Sequence, residues 1–196
     1  MSLVDAATKA ELTELYQAPD RHYHGITHIE ALLGLLATHR SAFTDPEAVE
    51  AAIWFHDAIY DSRRKDNETA SAALVAARLR GRAEDGRLAR IVAMIEATAT
   101  HQVPKFENKA ARQDAALFLD MDLSILGAPA EVFDAYEAAV RREYGWVREA
   151  DWRAGRAAVL GNFLARQHIF YSDIFAALFE AQARANMERS LKALEA

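Results

Sequence analysis

Apolar residues recur along the chain at the three- and four-residue spacing of amphipathic helices, and strict two-residue alternation is absent. The pattern predicts an all-α fold without a substantial sheet. One helix is opened by the start signal TDPE (44–47) and runs to about Tyr60, and the next extends from Asp66 to Gly81. The other predicted helices cover residues 4–17, 27–38, 86–100, 110–122, 130–143, 152–166 and 172–194.

The last predicted helix carries four large apolar side chains at helical spacing: Ile174, Phe175, Leu178 and Phe179. Such a stripe usually packs against the rest of a fold rather than binding a ligand. We therefore expect all four side chains to contribute to the core.

The composition narrows the classes of function. A chain of 196 residues fits one domain, and we expect a core at about 20–125 with a C-terminal helical extension at about 126–196. The net charge of −6, without a long basic run, argues against nucleic-acid binding. No apolar stretch approaches a membrane span and no signal peptide is visible, so we expect a cytoplasmic protein without a membrane partner. The absence of cysteine excludes disulfides and thiolate–metal sites.

A histidine and a carboxylate stand side by side in the most apolar part of one predicted helix, within AAIWFHDAIYD (51–61). Burying an ionised carboxylate is very costly unless it is paired, protonated or bound to a metal ion. A lone buried histidine is usually a hydrogen-bonded core residue, but the adjacent His56 and Asp57 are both good ligands for a divalent ion. The pair therefore indicates a metal site whose other ligands come from other helices.

Two further helices carry suitable ligands. His28 lies early in the preceding helix, and Asp120 and Asp122 lie at the end of a later apolar run. Together with His56 and Asp57 they offer imidazoles and carboxylates, a mixture typical of a catalytic ion with open positions. Asp120 and Asp122 are two positions apart and point to opposite sides of a helix, so only one of them should reach the ion.

The order His28, His56-Asp57, Asp122 resembles the H…HD…D signature of the HD superfamily of metal-dependent phosphohydrolases. Further blocks resemble one uncharacterised bacterial branch of that superfamily and together cover most of the chain: RHYHGITHI, AIWFHDAIYD, DNETASA, TATH, LDMDLSILG, RREY and ARANMERSL. The resemblance implies an HD-type helical bundle with additional C-terminal helices. It also implies a divalent ion (Mn, Mg, Fe, Co, Ni or Zn) held by His28, His56, Asp57 and one aspartate of LDMDL. The family's sequence context around the last ligand selects Asp122, with Asp120 as the alternative.

The resemblance implies hydrolysis of a nucleotide or another small phosphate ester by a metal-activated water. Asp57 is expected to combine ligation with orientation of that water, and Glu68 or His101 to orient water or transfer a proton. Each also has a structural explanation, since Glu68 complements a helix N-terminus and His101 a helix C-terminus. The candidate substrate contacts are the loop residues His24, Arg63, Arg64 and Lys65.

Other functions fit parts of the same pattern. A nucleotide-binding regulatory module with little turnover would keep the ligands, whereas a purely structural helical scaffold would bind no metal. A diiron oxygenase of the same superfamily needs more histidines between the His-Asp pair and the last aspartate, where only His101 lies. The Glu-Asp pair of the guanosine-tetraphosphate hydrolases is replaced by Tyr60-Asp61, and the Gly-Tyr-Pro of the cyclic-dinucleotide branch is absent.

Overall fold

A computed structural model describes residues 3–195, and this part of the chain forms nine α-helices and no strand, which confirms the all-α prediction. Short 3-10 segments cover Arg40–Ala42 and Ser124–Gly127. None of the described helices is long and apolar enough to cross a membrane. The helices are α1 Ala6–Tyr16, α2 Ile26–Thr38, α3 Pro46–Phe55, α4 Asn67–Leu79, α5 Asp85–Ala97, α6 Lys109–Leu123, α7 Ala130–Glu143, α8 Glu149–Leu164 and α9 Asp173–Glu195.

The chain divides into two compact units, of which the first ends at Asp122 and the second begins at Leu123. Within the first unit, α3 packs against α2, α4 and α5. Every residue that the sequence indicates for the metal site or its substrate contacts lies in this first unit.

Helix α3 forms the centre of the first unit. Pro46 occupies its first turn and the Asp45 side chain accepts a hydrogen bond from the N–H of Ala48, so the TDPE start signal acts as predicted. Its side chains are buried almost all round, and Ile53 and Phe55 are completely inaccessible to solvent. A helix that is apolar on every side is stable only inside a fold. The His56-Asp57 pair is therefore carried by the most buried helix of this unit.

Two helices, α3 and α5, end three or more residues earlier than predicted. Helix α3 ends at Phe55 rather than near Tyr60, and α5 ends at Ala97 rather than at residue 100. Asp66 stands at the N-cap position of α4 but its side chain makes no capping hydrogen bond; its two carboxylate oxygens accept from Arg64 instead. Gly81 follows the end of α4 with a left-handed φ of 76°, which agrees with its predicted role as a stop signal.

The apolar stripe predicted on the last helix is only half buried. Phe175 is completely buried, but Ile174 and Leu178 are 39% and 56% exposed, so the prediction that all four side chains join the core is wrong. Ile174 and Leu178 lie one helical turn apart on the side of α9 next to that of Phe175 and Phe179.

Asp114, on α6, is buried and joins this helix to the start of α3. Its two carboxylate oxygens accept hydrogen bonds from the backbone N–H groups of Thr44 and Asp45, each at 2.8 Å. We expect Asp114→Asn to lower the free energy of unfolding by about 1–2 kcal/mol, because the amide offers only one acceptor oxygen and leaves one of the two backbone N–H groups without its partner. Urea denaturation measures the loss.

The matched control is Asp20→Asn, at an exposed position in the loop after α1, which should change stability by less than about 0.5 kcal/mol. Equal midpoints for the two variants would contradict the bridging role of Asp114.

Candidate metal centre

Helix α2 carries the first histidine. Gly25 precedes this helix in a crowded position, where a Cβ would lie 3.1 Å from the carbonyl oxygen of Tyr16. Ile29, Leu32 and Leu36 bury one face of α2, and His28 is buried with them at 6% exposure. The apolar periodicity that forms the helix therefore also takes this imidazole into the interior.

His56 follows the last residue of α3, and its ring is held by the helix itself. Its Nδ1 lies 2.9 Å from the carbonyl oxygen of Ile53, and Phe118 packs edge-on against the ring. A carbonyl can only accept, so Nδ1 carries the hydrogen, and in the neutral imidazole Nε2 then has a free lone pair. This hydrogen bond is the usual device by which a metal-binding histidine is oriented.

Four side chains converge at this point. The Nε2 atoms of His28 and His56 are 3.2 Å apart. Oδ1 of Asp122 lies 3.1 Å from Nε2 of His28 and 3.6 Å from Nε2 of His56. Oδ2 of Asp57 lies 3.1 Å from Nε2 of His56 and 3.9 Å from Nε2 of His28. Because metal–ligand bonds are about 2.0–2.2 Å long, ligand atoms around one ion stand roughly 3–3.5 Å apart, which agrees with the spacing of the two Nε2 atoms and Oδ1 of Asp122.

The donor set fits a divalent cation. Neutral imidazole Nε2 atoms and carboxylate oxygens are all electron-pair donors, and placing them together without a positive charge between them is unfavourable. His28, His56 and Asp122 form a buried group in which one ligand atom from each lies within 4.8 Å of the others. The protein therefore contains a site that can hold a metal ion, with Asp57 beside it.

Electrostatics at the site keep the carboxylates ionised. Burial alone would raise the pKa of Asp57, but the adjacent His56 outweighs this effect and lowers it. Burial likewise opposes ionisation of Asp122, yet the neighbouring imidazoles of His101, His28 and His56 hold its pKa well below the usual range. Burial also lowers the pKa of His56, but Asp57 and Asp122 reverse the effect and raise it. The group attracts positive charge, whether this comes from a proton or from a metal ion.

The site is closed on its imidazole side and partly open on its carboxylate side. The side chains of His28 and His56 are 4% and 1% exposed, whereas those of Asp57 and Asp122 retain 14% and 12%. His101 lies at the same opening and is 20% exposed. The solvent-accessible part of the group therefore belongs to the two carboxylates and His101 rather than to the two buried imidazoles.

Arg21 ties the loop before α2 to the His-Asp pair. The guanidinium donates hydrogen bonds to the backbone carbonyls of His24, Asp57 and Ala58 at 3.0, 2.6 and 2.8 Å. It also lies over the rings of Tyr16 and Tyr60. Arg21 thus holds in place the two loops that carry the pair and the approach to His28, which makes it a loop anchor.

His24, predicted to touch substrate, stacks on Tyr60 with ring centroids 4.2 Å apart, and both side chains are half-buried. The neighbouring Tyr23 packs against the His28 ring at 4.9 Å. These aromatic rings border the loop beside the metal-binding group.

The other predicted substrate contacts lie on the turn between α3 and α4. Arg63, Arg64 and Lys65 are exposed, and Arg64 makes a two-point ion pair with Asp66. Glu68 lies half-buried in the first turn of α4. Asn67 holds this turn in place by two hydrogen bonds to the backbone of Asp61. Its side-chain oxygen accepts from the N–H of Asp61, and its side-chain nitrogen donates to the carbonyl of Asp61. The predicted roles of Arg63, Arg64, Lys65 and Glu68 therefore stay predictions. The predicted site residues that the structure does bring together are His28, His56, Asp57, Asp122 and His101.

Between the two aspartates of LDMDL, the structure selects Asp122. Its Oδ1 atom belongs to the metal-binding group, whereas Asp120 is completely buried elsewhere in α6. The two-residue separation puts the side chains on different sides of the helix, as expected.

Comparison of the chain with protein-family models, with curated proteins and with solved structures gave no match. The class of the site therefore rests on its own chemistry. It is a buried histidine–carboxylate group, assembled from α2, the end of α3 and α6, that could hold a metal ion.

Proposed function

We propose that this protein is a metal-dependent phosphohydrolase of the HD type that acts on a nucleotide or another small phosphate ester. The observation that carries the proposal is the meeting of His28, His56 and Asp122 from three distant segments at mutual distances suited to one ion, with Asp57 beside them. The order of these residues along the chain agrees with the HD signature. Two imidazoles in the set favour a borderline transition-metal ion over Mg²⁺.

The residues present support a division of roles. His28, His56 and Asp122 would hold the ion, which when bound lowers the pKa of a coordinated water toward neutrality and offsets charge on a phosphoryl group. The buried imidazoles exclude bulk water from one side of the site. Asp57, ionised and partly exposed, accepts a hydrogen bond from the attacking water and orients it. His24 and Tyr60 border the approach for the substrate.

One observation favours a second candidate, a nucleotide-binding regulatory module with little turnover. Of the three basic residues expected to neutralise the transferring phosphoryl group, Arg64 is already paired with Asp66 and all three are exposed. Fewer cations directed at the phosphate would leave binding intact but weaken stabilisation of the transition state.

Activity assays separate the two candidates. Protein loaded in turn with Mn²⁺, Co²⁺, Ni²⁺, Zn²⁺ or Mg²⁺ is assayed against p-nitrophenyl phosphate and a panel of nucleoside mono-, di- and triphosphates. We expect turnover of at least one ester, and a loss of about 10²- to 10⁴-fold in kcat for Asp57→Asn at saturating metal, because the variant lacks the group that orients water. Phosphate release is the readout.

Asp85→Asn is the matched control, since Asp85 is an exposed carboxylate at the start of α5 and should leave turnover unchanged. Metal-saturated wild-type protein that binds nucleotides without hydrolysing any ester would favour the regulatory module and contradict the phosphohydrolase.

A further inference from the structure

His101 has a backbone conformation that sets it apart. It is the one non-glycine residue of the described chain, 3–195, with a positive φ, at 50°. It lies four residues beyond the end of α5, where its N–H donates to the carbonyl of Ala97 at 2.8 Å. Side chains other than glycine rarely adopt this left-handed region, and such residues concentrate where the surroundings hold them for a function.

The contact that accompanies this conformation is with the last metal ligand. Nε2 of His101 lies 3.0 Å from Oδ2 of Asp122, while Oδ1 of the same carboxylate faces Nε2 of His28 at 3.1 Å. The two oxygens of Asp122 thus have different partners. An ionised carboxylate can only accept, so Nε2 of His101 carries the hydrogen in this contact.

We propose that His101 is a positioning residue that holds Asp122 by its Oδ2 atom so that Oδ1 alone is presented to the metal ion. The inference rests on the metal centre of the proposed function but not on its hydrolytic chemistry. It also gives His101 a different role from the proton transfer predicted from the sequence.

The physical basis is the freedom of a carboxylate. The terminal torsion of an aspartate is broad, so an unrestrained Asp122 would rotate and offer either oxygen, or both, to an ion. A hydrogen bond to one oxygen removes that freedom before the ion arrives, and such outer partners typically change metal affinity by about 10- to 100-fold. The left-handed turn after α5 keeps the imidazole in the place where it can make this bond.

A rival explanation uses the same atoms. Nε2 of His101 and Oδ2 of Asp122 could be two ligands of a second ion, with Asp122 bridging the pair of ions. The two explanations differ in stoichiometry: a positioning histidine leaves one ion per chain in both wild type and variant, whereas a ligand to a second ion does not.

The test is a calorimetric Mn²⁺ titration of the full chain after removal of metal with a chelator. We expect one ion per chain in wild type and in His101→Ala, with Kd raised about 10- to 100-fold in the variant. His101→Gln, whose amide N–H can donate to Oδ2, should recover most of the affinity. The control is His168→Ala, an exposed histidine of the second unit, which should match wild type. Melting of each metal-free variant verifies that it is folded.

If His101→Ala does not fold, His101→Asn replaces it, because asparagine tolerates the left-handed backbone and has a shorter side chain. The proposal is overturned by equal Mn²⁺ affinity in wild type and the shortened variant, by failure of His101→Gln to recover affinity, or by two ions in wild type and one in the variant. Wild-type protein that binds no Mn²⁺ would instead contradict the metal centre and with it the proposed function.

Discussion

Replacing His56 by alanine is expected to abolish specific divalent-metal binding. His56 supplies the most central ligand atom of the group, since its Nε2 lies within 3.6 Å of His28, Asp57 and Asp122. Loss of a residue that only orients a ligand already weakens metal binding about 10- to 100-fold, so loss of a ligand should exceed about 100-fold. Elemental analysis after loading with Mn²⁺ and dialysis measures the change.

The control for this substitution is His22→Ala, an exposed histidine in the loop that precedes α2. It should retain about one ion per chain, and both variants should keep the helical circular dichroism of the wild type. A His56→Ala protein that keeps wild-type Mn²⁺ occupancy would remove these residues from consideration as a metal centre.

Replacing Gly127 by alanine is expected to give the largest loss of stability in the second unit. Gly127 ends the 3-10 segment Ser124–Gly127 and lies directly against α9. A Cβ added there would stand 2.5 Å from Cβ, 2.7 Å from the carbonyl oxygen and 2.9 Å from Cα of Phe179. These atoms are backbone or fixed to it, so no side-chain rotation relieves the overlap.

The segment cannot easily retreat from α9 either. The Asn186 amide, on α9 and 1% exposed, donates hydrogen bonds to the carbonyls of Leu126 and Ala128 at 2.9 and 2.8 Å, on either side of Gly127. Moving the segment away would break both bonds in a buried environment. We therefore expect Gly127→Ala to lower the free energy of unfolding by about 3 kcal/mol, at the upper end of the usual cost of overpacking.

The matched control is Gly161→Ala, inside α8, where an added Cβ meets nothing within 4 Å. Because glycine is a poor helix former, this control should gain about 0.5–1 kcal/mol. Urea denaturation compares the two variants with the wild type, and a Gly127→Ala protein as stable as the wild type would refute the packing described here.

Helical periodicity predicts the fold class well because the sequence lacks the two-residue alternation that would indicate strands. The sequence predicts each of the nine helices found within residues 3–195, and the errors lie at their ends. Helix α3 ends at Phe55 although the apolar run continues through Ala58 and Ile59, since a hydrophobic pattern records burial and not the backbone turn that ends a helix. The same limit explains Leu178, which belongs to the predicted apolar stripe but lies on its exposed side, whereas Phe175 is buried.

The site was predicted in part because its residues are unusual for their surroundings. His28, His56 and Asp122 are noticeable in the sequence because each is a polar residue within an apolar helical segment. The resemblance to the HD signature then predicts that they belong to one site. Their meeting depends on how α2, α3 and α6 pack, across a separation of 94 residues between His28 and Asp122, which no local pattern contains. The link between His101 and Asp122 was missed for the same reason.

The hydrogen bonds that Asp114 accepts at the start of α3, and those that Arg21 donates to its two neighbouring loops, are further contacts that sequence patterns do not show. Both act on backbone groups of distant residues, Asp114 on Thr44 and Asp45 and Arg21 on carbonyls next to the His-Asp pair. In the sequence, a charged residue that hydrogen-bonds to the backbone of a distant segment cannot be told apart from one that faces water.

Crystals grown with Mn²⁺ and measured for anomalous scattering would test the metal centre most directly. The structure predicts one strong anomalous peak within about 2.0–2.3 Å of Nε2 of His28, Nε2 of His56 and Oδ1 of Asp122. Mn²⁺ found only at surface carboxylates, with no peak among these three atoms, would contradict the assignment of this site.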